Sequence, residues 1–520
     1  MPLRTTIGHI LGVILLCSLV AVAVMTPQHP TPATAATAPT KTKTRTKTKT
    51  STRTKTRTAT RTLTPSATPV NIAGISLTAG GATTCVILPA GTVRCIGQNS
   101  YGTLGYGDTT TRGNTTGTAY IALPNINLGT GAIVRQISMA YEHTCALLTT
   151  GAVKCWGAGD FGVLGNADTT TTIGDSSDEM GDTLAAIALP PGRTAVSIAA
   201  HRTNACAILD NGALTCWGDS IGNNDNISHG ADADSMGANL PIINLGTGRT
   251  VTSVDVGDGF VCALLDDATL KCFGYGENGR LGYGSTSTRG VYAGANDMGN
   301  NLAALDFGTG VSVSSFALGT GHGCAILSNK TVKCWGSNGH GQLGLGNTND
   351  RGDTSGEMGS ALPVVNLGTG HYAVKLALGT EHSCALLENN TVKCWGKNDD
   401  GQLGQGTSTD IGDNAGEMGN ALATSNFGTG VTVKQIAPGN AHTCVLLNTH
   451  AIKCVGWPRE GQMGYGDDIS YGNSPSNTGD AIPQYAADTA NGVLTKTPTK
   501  TRTPSKTRTR TKTRTPTPKP

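Results

Sequence analysis

The sequence predicts an all-β protein: a seven-bladed β-propeller of four-stranded antiparallel blades, flanked by disordered tails. Three observations lead to this prediction. Glycine supplies 72 of the 520 residues, charged residues only 14% and aromatic residues 4%, which favours many short strands joined by turns. A frame of two cysteines recurs seven times at nearly constant spacing. Each copy alternates around a short polar centre, which is typical of a β-hairpin.

The N-terminal part, residues 1–25, predicts export. Ile7–Met25 is a 19-residue, mostly apolar run without a formal charge, and Arg4 precedes it. A helix of this length crosses a bilayer core of about 30 Å. The same run also fits a secretory signal peptide, with Ala21–Ala23 as the small-residue cleavage site. Cleaved signal and retained membrane anchor both stay open, and either one predicts a secreted or cell-surface protein.

Residues 26–70 and 495–520 are low-complexity segments that we expect to be disordered, because they hold little to bury and many like charges. Lys41–Thr62 and Lys496–Pro520 each carry nine Lys or Arg and no acidic residue. The chain between them holds 19 basic and 35 acidic residues, which gives it a formal net charge of −16. We interpret both as spacers. Electrostatic attachment to an anionic cell envelope is the first alternative. Nucleic-acid binding is the least favoured, since no aromatic residue or folded reader accompanies the charge.

The cysteine frame lies in residues 71–494, which we predict to be the propeller. In "CALLENNTVKC", a turn centred on Asn389 places Cys384 opposite Cys394, about 4.5–5.5 Å apart at Cβ. A disulfide across each hairpin would stabilise the fold by about 2–3 kcal/mol and would persist in an oxidising compartment. Cys17 is the one cysteine outside the frame. The predicted pairs are Cys85 with Cys95, Cys145 with Cys155, Cys206 with Cys216, Cys262 with Cys272, Cys324 with Cys334, Cys384 with Cys394 and Cys444 with Cys454.

A metal site is the alternative use of these cysteines. A histidine precedes the first cysteine by two residues in four copies, but Thr83, Asn204 and Phe260 replace it in the others. Zinc sites usually show a shorter cysteine spacing. We therefore interpret the histidines as partners of a neighbouring backbone group at the strand entrance. They are His143, His322, His382 and His442.

The segment Ala361–Gly406 contains a whole predicted repeat: "ALPVVNL" as a strand, "AVKLALG" as a second strand, then the hairpin and a glycine-rich loop. Because the first copy lacks an upstream "ALPVVNL", we predict that Asp480–Ala486 supplies this strand and pairs beside the Ile75–Leu77 segment to close the ring. Four tryptophans follow the second cysteine and should pack between blades, with ligand stacking as the alternative. They are Trp156, Trp217, Trp335 and Trp395.

Residues 71–491 resemble the regulator of chromosome condensation repeat family. His322–Gly346 is similar to that family's His-Thr-x-Ala-Leu start, its Val-x-x-Trp-Gly element and its Gly-Gln-Leu-Gly box, His442–Gly466 is a looser copy with "IKCVG" and "GQMG", and the third copy, Gly218–Gly230, lacks the box. The resemblance implies a seven-bladed propeller. The founding members act in the nucleus as exchange factors for a small GTPase, which needs an intracellular partner and reduced thiols. No position here matches their exchange residues.

The sequence shows no nucleophile elbow, phosphate loop or other catalytic motif, so we expect a non-enzymatic protein without a cofactor. A calcium site is the one metal alternative, because an Asp and a Glu lie four residues apart in three loops. The candidate ligands are Asp175, Glu179, Asp353, Glu357, Asp413 and Glu417.

The leading functional hypothesis is an exported or cell-surface protein-binding or scaffold module, monomeric, whose acidic disc suits a basic or cationic macromolecule. Its partner is a protein or the cell envelope rather than nucleic acid, and Ile7–Met25 is its potential membrane anchor. The alternative is an intracellular regulator with guanine-nucleotide exchange activity on a small GTPase. A third hypothesis, a polysaccharide-acting enzyme, requires carboxylates clustered over the central channel.

Overall fold

A computed structural model describes residues 74–219 and 221–487, which form seven antiparallel sheets. The apolar run Ile7–Met25, both basic tails and the predicted limits 71 and 494 lie outside the described residues. The strands are β1 (Ser76–Gly80), β2 (Thr83–Ile87), β3 (Val93–Gly97), β4 (Val134–Met139), β5 (His143–Leu148), β6 (Val153–Gly157), β7 (Ala195–His201), β8 (Asn204–Leu209), β9 (Leu214–Gly218), β10 (Val251–Gly257), β11 (Phe260–Leu265), β12 (Leu270–Gly274), β13 (Val313–Leu318), β14 (His322–Leu327), β15 (Val332–Gly336), β16 (Ala373–Leu378), β17 (His382–Leu387), β18 (Val392–Gly396), β19 (Val433–Pro438), β20 (His442–Leu447), β21 (Ala451–Gly456) and β22 (Tyr485–Ala486).

Helical structure in the described residues is limited to short 3-10 turns in the loops, and no helix there is long and apolar enough to cross a membrane. These turns are Thr116–Thr118, Tyr120–Ala122, Asp160–Gly162, Ala233–Ser235, Gly237–Asn239, Glu277–Gly279, Gly359–Ala361 and Gly479–Ala481.

Each sheet is built around the hairpin that the cysteine frame predicts. In the sixth sheet Cys384 lies directly opposite Cys394, and the Leu387 N–H donates to the Thr391 carbonyl at 2.9 Å. The turn is stabilised by Asn389, whose Oδ1 accepts the Thr391 N–H at 3.1 Å, and Asn390 takes a left-handed φ of 62°. Asparagine tolerates both roles, which explains the polar centre of the hairpin.

The seven sheets form a closed ring around a central channel, which confirms the propeller prediction. The first strand of each sheet, such as β1 or β4, packs beside the first strand of the next sheet, and β19 packs beside β1. Leucine, isoleucine, valine and tryptophan side chains fill the spaces between neighbouring sheets as separate buried clusters. The core is therefore distributed around the ring rather than gathered at one centre.

The prediction of four-stranded blades is met only in the last sheet, where β22 pairs with β21. In each of the other sheets the outer strand is reduced to a few backbone hydrogen bonds, such as Val365 N–H to Val332 carbonyl at 2.8 Å. Pro124 and Pro363 lie in two of these outer segments and have no N–H to donate, and short edges resist further strand pairing.

The predicted order of strands within a repeat is wrong by one strand. "ALPVVNL" lies at the outer edge of the preceding sheet, as the Val365–Val332 bond shows, and "AVKLALG" is the first, innermost strand β16 of its own sheet. Because this segment lies between two sheets in the sequence, its alternation alone does not decide which sheet it joins.

The prediction that Asp480–Ala486 and Ile75–Leu77 lie in one sheet is also wrong, because the outer segment again joins the sheet that precedes it. Tyr485 pairs with Ile452 in the last sheet, whereas Ser76 pairs with Ile87 in the first sheet. The two ends nevertheless share one buried cluster, which includes Ile75, Leu77, Tyr485 and Ala487. The ring therefore closes by packing the last sheet on the first.

Candidate functional site

The disulfide hairpins form the rigid part of every sheet. All seven predicted cysteine pairs are bonded, with Cα atoms 4.0–4.1 Å apart. The cysteine side chains are at most 3% exposed. Each bond closes a short loop, which stabilises a hairpin by about 3 kcal/mol on the chain-entropy model. Burial at this level removes the sulfurs from solvent and from metal ions.

The histidines before the cysteines connect neighbouring sheets. His322 Nε2 lies 2.9 Å from the Ser383 hydroxyl, and His382 Nε2 lies 2.9 Å from the Thr443 hydroxyl of the sheet after it. His442 makes the same contact with Thr84 at 2.9 Å, across the closure of the ring. The predicted backbone partner is therefore wrong, because the neighbouring sheet brings a hydroxyl group to Nε2.

The direction of one of these hydrogen bonds follows from the network. The Ser383 hydroxyl donates to the Gln342 carbonyl at 2.8 Å, so it accepts from the N–H of His322 Nε2. The ring must be neutral, because a protonated ring would bury an N–H at Nδ1 of His322, where no acceptor lies within reach. Burial lowers the pKa of His322 and of His442 to about 3, and that of His382 to about 4.

His143 lacks this contact. Its Nε2 is buried without a partner, and Ala205 stands in the next sheet where the other junctions have Ser383 or Thr443. The cysteines are bonded to each other, and the other three histidines contact hydroxyl groups. Neither residue type is therefore available as the metal ligand that the alternative interpretation of the cysteine frame requires. No group of three or more His, Cys, Asp or Glu among the described residues is arranged to hold a metal ion.

The tryptophans pack between sheets, as predicted. Their side chains are at most 1% exposed, and each indole N–H donates to a carbonyl of the preceding sheet. Trp395 donates to Gln342 at 2.9 Å and Trp156 donates to Thr103 at 2.9 Å. These rings are not accessible to a ligand.

A lysine before the second cysteine was not singled out from the sequence. The ammonium group of Lys393 donates to the Leu367 and Gly419 carbonyls at 2.9 and 3.0 Å, and burial lowers its pKa. Lys333 and Lys453 make equivalent pairs of bonds. The signal was present in the repeated "VKC", which places a charged residue in a strand that is otherwise buried.

The candidate calcium ligands lie in pairs at the rim. Glu357 Oε2 accepts the N–H groups of Gly352 and Thr354 at 3.0 and 3.1 Å, and Glu417 and Glu179 organise their own loops in the same manner. Burial and the adjacent Glu417 raise the pKa of Asp413. The glutamates therefore have a structural role in these loops, and calcium binding at the six residues stays an untested alternative.

The central channel contains a cavity of about 280 Å³, lined by the first strands of all seven sheets. His201, Asp255 and Lys375 bring titratable groups to its wall, each from a different sheet. Asp255 accepts the Leu318 N–H at 2.9 Å, and burial raises its pKa to about 6. Burial lowers the pKa of His201 to about 4 and also lowers that of Lys375. The structure joins no two of these three groups in a hydrogen bond or ion pair.

The two faces of the ring differ. We call the loop face the one formed by the turn between the first and second strands of each sheet and the long segment after the third strand. The turn face holds the hairpin turns. Both ends of the described chain lie at the turn face, because Ser76 pairs with Ile87 and Ala486 pairs with Ala451, each beside a hairpin turn. The loop face is therefore clear of both chain entry and chain exit.

Polar side chains on the loop face include a network of contacts between the fifth and sixth sheets. His340 Nδ1 lies 2.8 Å from Asp410 and its Nε2 lies 3.6 Å from Glu381. The other oxygen of Glu381 lies 2.7 Å from Lys397 Nζ. Next to it, burial and the neighbouring carboxylate of Asp399 raise the pKa of Asp400. This arrangement suits electrostatic recognition of a macromolecule.

Comparison with known families finds the Regulator of chromosome condensation (RCC1) repeat. One model of this repeat matches residues 134–163, 251–280, 313–342 and 373–402, and a second matches residues 332–386. Among curated proteins, the chain is similar to the ultraviolet-B receptor UVR8 of Arabidopsis thaliana, with 28% identity covering 53% of this chain and 56% of the receptor. It is also 24% identical to the human E3 ubiquitin-protein ligase HERC2 over 77% of this chain and 7% of the ligase.

Solved structures show the same fold. The Saccharomyces cerevisiae protein Prp20p aligns with a TM-score of 0.53 at 18% identity, covering 76% of this chain and 86% of Prp20p. Human WBSCR16 aligns with a TM-score of 0.53 at 20% identity, covering 72% of this chain and 86% of WBSCR16. The chain spans about half the length of the plant receptor and a small part of the ligase, so their activities are not carried over with the fold.

Proposed function

We propose that the chain is a regulator of chromosome condensation repeat protein that acts as an exported or cell-surface binding module without enzymatic activity. Its loop face would hold a protein or cell-envelope partner, while the polypeptide enters and leaves at the turn face.

The observation that carries the proposal is the set of seven buried disulfides. Their cysteine side chains are at most 3% exposed, and a cytosolic chain would present fourteen thiols at these same positions. Disulfides of this kind form and persist outside the reducing cytosol. The apolar run Ile7–Met25 supports export from the sequence side.

Two further features support a binding role. Side chains and loops that pack sheet against sheet, such as Trp395 and Lys393, make a rigid frame. The loops on this frame differ between sheets, and rigid frames with variable loops are a common basis of recognition. The solved relative Prp20p is described with its binding to Gsp1p and histones, which shows that this fold supports macromolecular recognition in that protein.

Thiol trapping in intact cells of the native host tests the proposal. Cells are quenched in acid, free thiols are alkylated with one reagent under denaturing conditions because the fold buries these positions, and after reduction a second reagent of different mass labels the rest. We expect all fourteen paired cysteines to carry the second reagent, in protein recovered outside the cytosol. First-reagent labelling of the fourteen in cytosolic protein would contradict the proposal and favour the exchange-factor alternative.

A further inference from the structure

Exposed aromatic side chains are concentrated on the loop face of the first two sheets. Tyr101, Tyr141 and Phe161 are 40%, 38% and 48% exposed. Among the described residues, Tyr292 is the one other aromatic side chain exposed to this degree. Tyr141 lies in the turn between β4 and β5, whereas Tyr101 and Phe161 lie in the segments after β3 and β6. We call these three side chains the aromatic ridge.

The ridge residues occupy related positions in neighbouring sheets. Gly102 and Gly162 each approach the backbone of the next sheet, at Asp175 and Ala231, so the residues before these glycines are structural equivalents. The Thr103 hydroxyl donates to the Glu142 carbonyl at 3.1 Å, which places the turn that carries Tyr141 next to the segment that carries Tyr101. The four other sheets with the glycine box carry no aromatic residue at this position, but Asn278, His340, Asp400 and Glu460.

The backbone of Phe161 is strained for an aromatic residue. Its φ of 59° lies in the left-handed region, where the equivalent Asn278 has a φ of 55°. Asparagine tolerates this region, whereas other non-glycine residues lose about 1–2 kcal/mol there. The ring of Phe161 is half exposed and so recovers little of this by burial. A strained, exposed aromatic residue points to a contact outside the folded chain.

The surroundings of the ridge are acidic. Residues 158–179 contain five acidic side chains and no basic one, and the exposed Arg202 in the corresponding turn of the third sheet lies 3.9 Å from the carboxylate of Asp258. Glu142 adds a carboxylate next to Tyr141, whose hydroxyl accepts the Asn440 amide N–H at 2.6 Å and is thereby held in place. Aromatic faces attract guanidinium and ammonium groups, and nearby carboxylates add to this attraction. Such a surface repels an anionic chain and selects a cationic one.

We propose that the aromatic ridge is the docking site for an extended Lys/Arg-bearing segment of a partner polypeptide. This inference rests on the proposed binding function and assigns its partner chemistry. Guanidinium or ammonium groups stack on Tyr101, Tyr141 and Phe161, and carboxylates on the adjacent loops hold the flanking positive charges. The two ends of the described chain lie at the opposite, turn face, which favours a segment from another molecule as the occupant.

Fluorescence anisotropy with the full, disulfide-bonded chain tests the proposal. The probe is a labelled 20-residue peptide in which Arg or Lys alternates with Ser, and its counterpart has Glu at every charged position. We expect the basic peptide to bind with an affinity that falls as salt rises and that Phe161→Asn lowers, whereas any binding of the acidic peptide to the basic tails is the same in both proteins. No binding of the basic peptide, or an equal effect of Phe161→Asn on both peptides, would overturn the proposal.

Matched variants locate the site. Phe161→Asn should weaken binding about tenfold while the melting temperature holds or rises, because Asn278 already fits this backbone conformation. Tyr292→Asn removes an exposed aromatic ring outside the ridge and should leave binding unchanged. Wild-type affinity in Phe161→Asn, or an equal loss in Tyr292→Asn, would contradict the ridge assignment.

Hydrogen exchange of the full chain separates the sources of the basic segment. Protection at residues 99–103, 140–142 and 160–163 should appear only when the peptide is added. Because some of these amides are already hydrogen-bonded in the fold, such as Gly102 to Asn99, the comparison is made at low and high salt. Protection in the free protein that is lost as salt rises would assign the ridge to the basic tails of the chain itself and overturn a partner in trans. Thiol trapping remains independent, since reduced cytosolic protein would refute export even if the ridge binds the peptide.

Discussion

The side chain of Gln435 accepts a hydrogen bond from the backbone N–H of Leu77 at 2.8 Å, although the two residues lie 358 positions apart. The same amide donates to the Ile75 carbonyl at 3.3 Å. Gln435 belongs to the first strand of the last sheet and Leu77 to the first strand of the first sheet. One side chain therefore links the first strand of the last sheet to the first strand of the first sheet, where the ring closes.

Gln435→Ala should loosen the closure of the ring. We expect faster amide hydrogen exchange at Leu77 and a loss of about 1–2 kcal/mol in the free energy of unfolding, because two backbone groups lose their partner. Gln136 is the matched control, since it makes the same pair of bonds to Ile198 inside the ring, at 2.6 and 3.1 Å. Gln136→Ala should leave exchange at Leu77 unchanged, and acceleration by both variants alike would refute a specific closure.

Acid should destabilise the ring through its buried histidines. The folded-state pKa of His442 is about 3, below the unfolded value of about 6.5. The contribution of the neutral ring to the free energy of unfolding is therefore complete above pH 6.5. It falls as the pH drops toward 3, and about 2 kcal/mol is lost at pH 5 for one histidine. Denaturant unfolding between pH 7 and pH 5 measures this slope. His442→Asn should flatten it, because Asn204 already fills this position in the third sheet, and an unchanged slope would refute the assignment.

Ala205→Ser should stabilise the protein. The new hydroxyl would reach the unpartnered Nε2 of His143 as Ser383 reaches His322, and an added buried hydrogen bond contributes about 1 kcal/mol. Chemical denaturation should show a higher midpoint with the same slope. Ser383→Ala is the reciprocal control and should lower the midpoint. A lower midpoint in Ala205→Ser would mean that the junction between the second and third sheets is packed differently.

Calcium dependence is decided by melting the protein with and without a chelator. The glutamates of the three acidic loops already accept backbone N–H groups, as Glu417 does from Gly412 and Asn414. We expect the melting temperature to be the same in EDTA and in excess calcium. A drop in EDTA that calcium restores, and that Glu417→Gln abolishes, would establish the calcium alternative at that loop.

Features that repeat along the chain were the ones that the sequence could predict. The spacing of Cys384 and Cys394 implies a hairpin register, and the position of Trp395 after the second cysteine implies the opposite face of the sheet. Both follow from the period of a strand, which is local. Seven repeats then imply seven sheets, because each sheet needs a neighbour to bury its faces.

Features that join different repeats were missed or misplaced. The contact of His322 with Ser383 spans 61 positions, and neither residue indicates the other until the sheets are packed. The recurrence of Ser or Thr after the histidine position in four of the seven copies was the available signal. The outer segment at Val365 was assigned to the wrong sheet because both neighbouring sheets offer it an edge. The aromatic ridge is likewise formed only when Tyr101, Tyr141 and Phe161 meet on one face.

Disulfide mapping of the native, unreduced protein tests the central claim most directly. The protein is alkylated and digested under conditions that prevent disulfide exchange, and linked peptides are identified by mass spectrometry. The account predicts seven links, each joining two cysteines ten positions apart within one hairpin, such as Cys384 with Cys394. Links between different hairpins, or free thiols at most of the fourteen positions, would contradict a ring of individually closed sheets.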